Sequence, residues 1–209
     1  MSSAPALAKK HALGLPAGSV RAVHVLAIVA LICAMILFSR QGRIVAMPPY
    51  LIYLLLLMVG HYFAAHGVSV APPDESTPSP LYLPGWLVRL LIMIPLIGCI
   101  GWKFYSDEAG LREQMAKSVI DFGQQPWLPL VILAGFFAGH IVGLILGQHR
   151  QSIAVQSFEA WISLIALIMI VLASIVHLII DPGWEERLYL PTWESFVGGV
   201  VAFYFGERT

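Results

Sequence analysis

Charge is what this sequence has least of. Only 11% of its 209 residues are Asp, Glu, Lys or Arg, where an ordinary soluble domain carries about 25%. The twelve basic residues are matched by twelve acidic ones. A chain without net charge offers no electrostatic footprint for nucleic acid or for an acidic partner. Cysteine is just as sparse. Cys33 and Cys99 both lie inside apolar runs, where a small buried hydrophobe is the usual role. No CxxC or Cys/His spacing points to zinc or to a disulfide framework. Catalytic signatures are missing too. Ser163 and Ser174 sit in no G-x-S-x-G elbow. There is no H-E-x-x-H, and the glycines from Gly135 to Gly147 include no GK[ST] phosphate loop. These absences favour a chain that is not an enzyme, takes no cofactor and does not bind nucleic acid.

What is present is apolar. Hydrophobic residues make up 58% of the chain, and the mean hydropathy is +0.81. A bilayer core of about 30 Å needs about 20 apolar residues in a helix. Five stretches meet or approach that length: 22–39, 49–68, 84–105, 127–147 and 158–180. A sixth, 192–205, is shorter and carries Glu194. The runs show no strand-like alternation, so a transmembrane barrel is not expected. Backbone groups in lipid must be bonded within each segment, which requires helices. The sequence therefore predicts an all-α fold, a polytopic helical membrane bundle of five or six transmembrane helices, with the lipid bilayer as its first partner. The six tryptophans, Trp86, Trp102, Trp127, Trp161, Trp184 and Trp193, fall near the ends of these stretches, as an interfacial aromatic belt would. The closing Phe203–Tyr204–Phe205 followed by Glu207–Arg208 reads as the same belt and a charged stop.

The connections are short. Residues 1–21 form a basic tail with Lys9 and Lys10, and the first span reads as uncleaved. Residues 71–80 are Pro- and Ser-rich, an extended loop. Residues 106–122 predict a surface amphipathic helix. Leu111, Met115, Val119 and Phe122 recur at helical spacing, and Glu108/Arg112 and Glu113/Lys117 are i,i+4 pairs. Pro95 predicts a kink in the third span. Asp181, Pro182 and Gly183 form a turn, and with Glu185, Glu186 and Glu194 they make an acidic connection. That connection reads as a solvated loop or, more sharply, as a cation-attracting vestibule. Lys and Arg divide evenly between the two sides, so the positive-inside rule sets no orientation. One membrane domain is expected from 22 to 209.

Two constellations stand out. Gly135, Gly139, Gly143 and Gly147 recur every four residues, which keeps them on one helix face. Small residues at that spacing let helix backbones approach in lipid. The face could pack on another helix of the same chain, with Gly198–Gly199 as partner surface. It could instead form a homo-oligomer contact, or line a pore. The second constellation is polar. If successive spans alternate in direction, His61, Arg89 and His140 lie at similar depth, with His24 and Glu159 shallower on the same side. Ionisable groups within spans are functional candidates. They read as local interhelical hydrogen bonds, as a proton or ion path tuned by Arg89 or Glu159, or as bis-histidine haem ligation by His61 and His140. The expected role is a non-enzymatic assembly or accessory subunit, packed with copies of itself or with other membrane subunits. A small channel or transporter and a haem-binding electron-transfer subunit are the alternatives.

Overall fold

The computed structural model describes residues 15, 16, 18–39, 47–64, 80–124, 127–146, 153–179 and 191–207. The basic tail up to 14, the loop at 71–79, Gly147 and the acidic 181–190 segment lie outside the described residues. Among those described there are seven α-helices and no strand: α1 (Ser19–Phe38), α2 (Pro49–Ala64), α3 (Gly85–Ser106), α4 (Glu108–Gln124), α5 (Leu128–Leu146), α6 (Ile153–Ile179) and α7 (Pro191–Glu207). Helix α1 starts at Ser19, so the last three residues assigned to the tail are helical.

Four helices are long and apolar enough to cross a membrane, in α1, α3, α5 and α6. The apolar stretches of α2 and α7 are shorter. At 1.5 Å per residue these two helices rise roughly 25 Å, a few ångströms less than a typical bilayer core. Each short helix turns one face into the bundle, while Leu56 and Phe63 of α2 and Phe196 of α7 are exposed. Leu51, Leu54 and Met58 of α2 and Val201, Ala202 and Phe205 of α7 are fully buried. Helix α1 is also central, touching α2, α3 and α6. Helices α3, α5 and α6 turn apolar faces outward, with Ile94 and Ile97, Phe137 and Leu144, and Ile168 and Leu172 exposed. A soluble monomer rarely shows apolar patches beyond a few hundred Å²; lipid is the solvent that such faces suit. Trp86, Trp102, Trp127 and Trp161 are also exposed, at or beside the ends of the three outer candidate spans.

The direction of each helix follows from the pairs that meet. Arg21 near the start of α1 reaches His61 near the end of α2, so these two are antiparallel. Ser19 accepts a hydrogen bond from the Leu81 amide just before α3, and Lys103 near the end of α3 reaches Ser39 after α1. Those two helices run parallel. A Cβ on Gly135 would meet Gly199, and one on Gly139 would meet Phe203. The matching offsets make α5 and α7 parallel, with α6 returning between them. Thus α1, α3 and α6 run one way and α2, α5 and α7 the other. The Leu81 contact sits in a 3-10 turn where Leu81 and Tyr82 take φ of 54° and 56°, a left-handed conformation costly for bulky side chains.

Helix α4 lies across the end where α1 and α3 finish. Its Glu108–Arg112 pair forms at 2.5 Å on the exposed side. Two of its residues turn toward the bundle. Leu111 and Gln114 are buried, while Met115 is 62% exposed. Gln114 turns in toward the end of α1: its amide gives the Met35 carbonyl a second donor at 3.3 Å, beside the Ser39 amide.

Candidate functional site

The five polar candidates His24, His61, Arg89, His140 and Glu159 occur at one end of the bundle, where α1, α3 and α6 begin and α2, α5 and α7 approach their ends. His24 is completely buried. Its Nδ1 lies 2.8 Å from the Val20 carbonyl one turn back. A carbonyl only accepts, so Nδ1 carries the proton. Nε2 faces Ser163 on α6, with the hydroxyl at 2.8 Å and the carbonyl oxygen at 3.0 Å. A neutral ring with its proton on Nδ1 accepts from the Ser163 hydroxyl at Nε2, and a doubly protonated ring donates to both carbonyls; the geometry fits either state. Both nitrogens are thus engaged, and the ring ties α1 to α6. Glu159 lies one turn before Ser163, on the same face of α6 and half-buried.

His61 is held differently. Arg21 Nη1 donates to its Nε2 at 2.8 Å. A guanidinium cannot accept, so His61 Nε2 holds a lone pair that Arg21 already occupies. Haem iron would need such a lone pair; at His61 Nε2, the Arg21 bond stands in the way. The Phe205 ring contacts both histidines edge-on, with centroids 6.2 Å from His24 and 5.7 Å from His61. Tyr204 stacks on His24 at 5.8 Å. Arg89 stands over the Phe63 ring at 5.7 Å, and its Nε is buried with no hydrogen-bond partner among the described residues. His140 follows Gly139 on α5 and is half-buried.

The glycine face lies against α7. A Cβ on Gly135 would come 2.5 Å from the Gly199 carbonyl oxygen, and one on Gly139 would strike the Phe203 carbonyl. From the other side, a Cβ on Gly206 would strike the Phe136 carbonyl. Backbone meets backbone here, which only glycine allows. Gly143 lies one turn further along α5, half-buried.

The opposite end carries a second polar group. Lys103 is buried, donates to the Ser39 carbonyl after α1, and pairs with Asp107 at 2.8 Å. Asp107 also caps α4 by accepting from the Gly110 amide at 3.0 Å. Lys103 beside it and the Gly110 amide hold the Asp107 carboxyl below its ordinary value. A cation at the end of α1 complements the negative end of the helix dipole.

Sequence reasoning missed Arg21, which it placed in the tail, and the roles of Tyr204 and Phe205. It read 203–208 as an interfacial belt, yet Tyr204, Phe205 and Glu207 are buried. Only Ser163, already noticed as a hydroxyl within a span, gave a usable signal. No group of three or more potential metal ligands occurs among the described residues. Comparison with known proteins finds no matching family model, no similar curated protein and no similar solved structure.

Proposed function

We propose that this chain is an integral membrane protein whose six apolar helices each cross the bilayer, and that it acts as a non-enzymatic assembly or accessory subunit. The observation that carries this reading is where three of its buried polar groups point. His24, Lys103 and Gln114 each bond a different helix or helix end of the same chain. They act as fasteners between helices. Between the two polar ends the core is apolar, built on Ile28, Ile32, Leu54, Met58, Ile92 and Val201. Ser174 is the one buried hydroxyl along that length among the described residues. A conduction path requires polar or wetted walls, and this core offers few.

Gly135 and Gly139 serve the pairing of α5 with α7, so the outward faces of α3, α5 and α6 are the surfaces left for lipid or for other subunits. Flux in proteoliposomes tests the reading. Proton and alkali-cation leak is expected to equal that of empty vesicles, for the natural chain and for His61→Ala alike. A flux that the His61 change abolishes would overturn the assembly role. It would favour the channel reading, whose support is the gathering of His24, His61, Arg89, His140 and Glu159 at one end. Capture of a tagged chain from its own membrane, with a defined subunit or second copy attached, is the matching positive result.

A further inference from the structure

The end of the bundle away from the histidines holds a pocket of about 690 Å³. Its walls come from the close of α1, the close of α3 and the first turn of α4. Leu37 and Trp102 form an exposed apolar side, and Lys103, Asp107 and Glu108 form a charged side. The candidate spans of α1 and α3 stop at Phe38 and Ser106. The pocket therefore opens where a bilayer changes from acyl chain to headgroup, the depth that exposed tryptophan favours.

Its charges are of both signs. Lys103 uses one ammonium proton on Ser39 and one on Asp107, which leaves the third. Asp107 accepts from Lys103 and Gly110, and Glu108 accepts from Arg112 through one oxygen. Each carboxylate keeps further lone pairs. The C-terminal ends of α1 and α3 add negative potential and the N-terminus of α4 adds positive potential. With Arg112 on Glu108 and Lys103 on Asp107, the site is balanced in charge and presents donors and acceptors side by side, beside an aromatic face, which suits a headgroup that itself carries both charges.

We propose that this pocket binds the headgroup of a phospholipid carrying a primary ammonium, of the phosphatidylethanolamine type. The lipid ammonium donates to Asp107 and Glu108 and lies near the Trp102 ring, a favourable place for a cation. The lipid phosphate takes the remaining Lys103 proton. The acyl chains follow Leu37 and Trp102 into the bilayer. A headgroup with phosphate alone meets two carboxylates. A choline headgroup brings the charge but no N–H donor. The inference rests on insertion in a membrane and is independent of the assembly role.

Native mass spectrometry from nanodiscs of equal phosphatidylethanolamine, phosphatidylcholine and phosphatidylglycerol tests it. The natural chain is expected to retain phosphatidylethanolamine over each of the others by roughly fivefold, the worth of one net hydrogen bond. Glu108→Gln removes that preference. Arg112→Ala breaks the same surface pair but leaves the carboxylate, so it keeps the preference and controls for a structural effect. Equal retention of the three lipids, preference for phosphatidylglycerol, or an unchanged preference in Glu108→Gln overturns the proposal. Displacement of the lipid by soluble phosphoethanolamine at the same headgroup concentration overturns the lipid as occupant.

Discussion

His24 is an ionisable side chain with no exposure and a partner at each ring nitrogen. In lipid, a hydrogen bond between helices contributes about 0.5–2 kcal/mol. Ser163→Ala should therefore destabilise the bundle by about that amount. His24→Ala adds a cavity beside Tyr204 and Phe205, and should cost about 2–4 kcal/mol. The double variant should lose less than the sum, because each single change already removes the hydroxyl–imidazole contact. Unfolding in mixed micelles, followed by tryptophan fluorescence, measures the cycle; strict additivity would show that the two side chains do not interact. Asp107 gives a prediction of the same scale in pH. Its folded value lies below the ordinary 3.8 because Lys103 and the Gly110 amide favour the carboxylate. A lowered folded value means stability that is present above 3.8 and lost as pH falls through the folded value. Thermal unfolding should show that acid-side loss in the natural chain. Asp107→Asn should flatten it, and an equal acid-side slope in both would remove the pair from the account.

At the scale of elements, the test is which glycines face backbone. Gly98 and Gly101 on α3 have open space where a Cβ would stand, while Gly139 has the Phe203 carbonyl. Alanine restores up to about 1 kcal/mol of helix propensity, so Gly98→Ala and Gly101→Ala should leave stability equal or raised. Gly139→Ala must push α5 from α7 and should cost about 1–3 kcal/mol or more, the range for overpacking. If all three behave alike in the same unfolding assay, the close contact is absent. The helices themselves were legible, because apolar runs of about 20 residues have one stable form in lipid. The four-residue spacing of Gly135 and Gly139 was legible for the same local reason. What was not legible depends on neighbours. Tyr204 and Phe205 look like belt residues until α7 is enclosed by α2, α5 and α6. Gln114 looks like a solvent residue until α1 ends beside it. Arg21 looks like part of a tail until His61 arrives from α2. Period and composition say which residues share a helix; they do not say which helices meet, and the polar contacts of this bundle depend on that.

For the whole molecule, the parity of the bundle can be argued from its contacts. Helix α7 ends beside the start of α1, since the Tyr204 ring stacks on His24 at 5.8 Å. Helix α2 also finishes there, through His61 and Arg21. The far end collects the close of α1, the close of α3 and the first half of α4, through Lys103 and Gln114. In a bilayer normal to these helices, the beginning of α1 and the end of α7 emerge on one face, whichever compartment it meets. On the proposed reading, in which the short α2 and α7 each cross once, the number of crossings is even. Local thinning of the lipid at fractions of a kcal/mol per ångström accommodates their roughly 25 Å. Paired compartment reporters, fused in turn to the N-terminus and to the C-terminus, should give the same answer in cells. Opposite answers would mean an odd count. Helix α7 would then lie in the bundle without crossing, and the Gly139–Phe203 contact would join a span to a re-entrant segment.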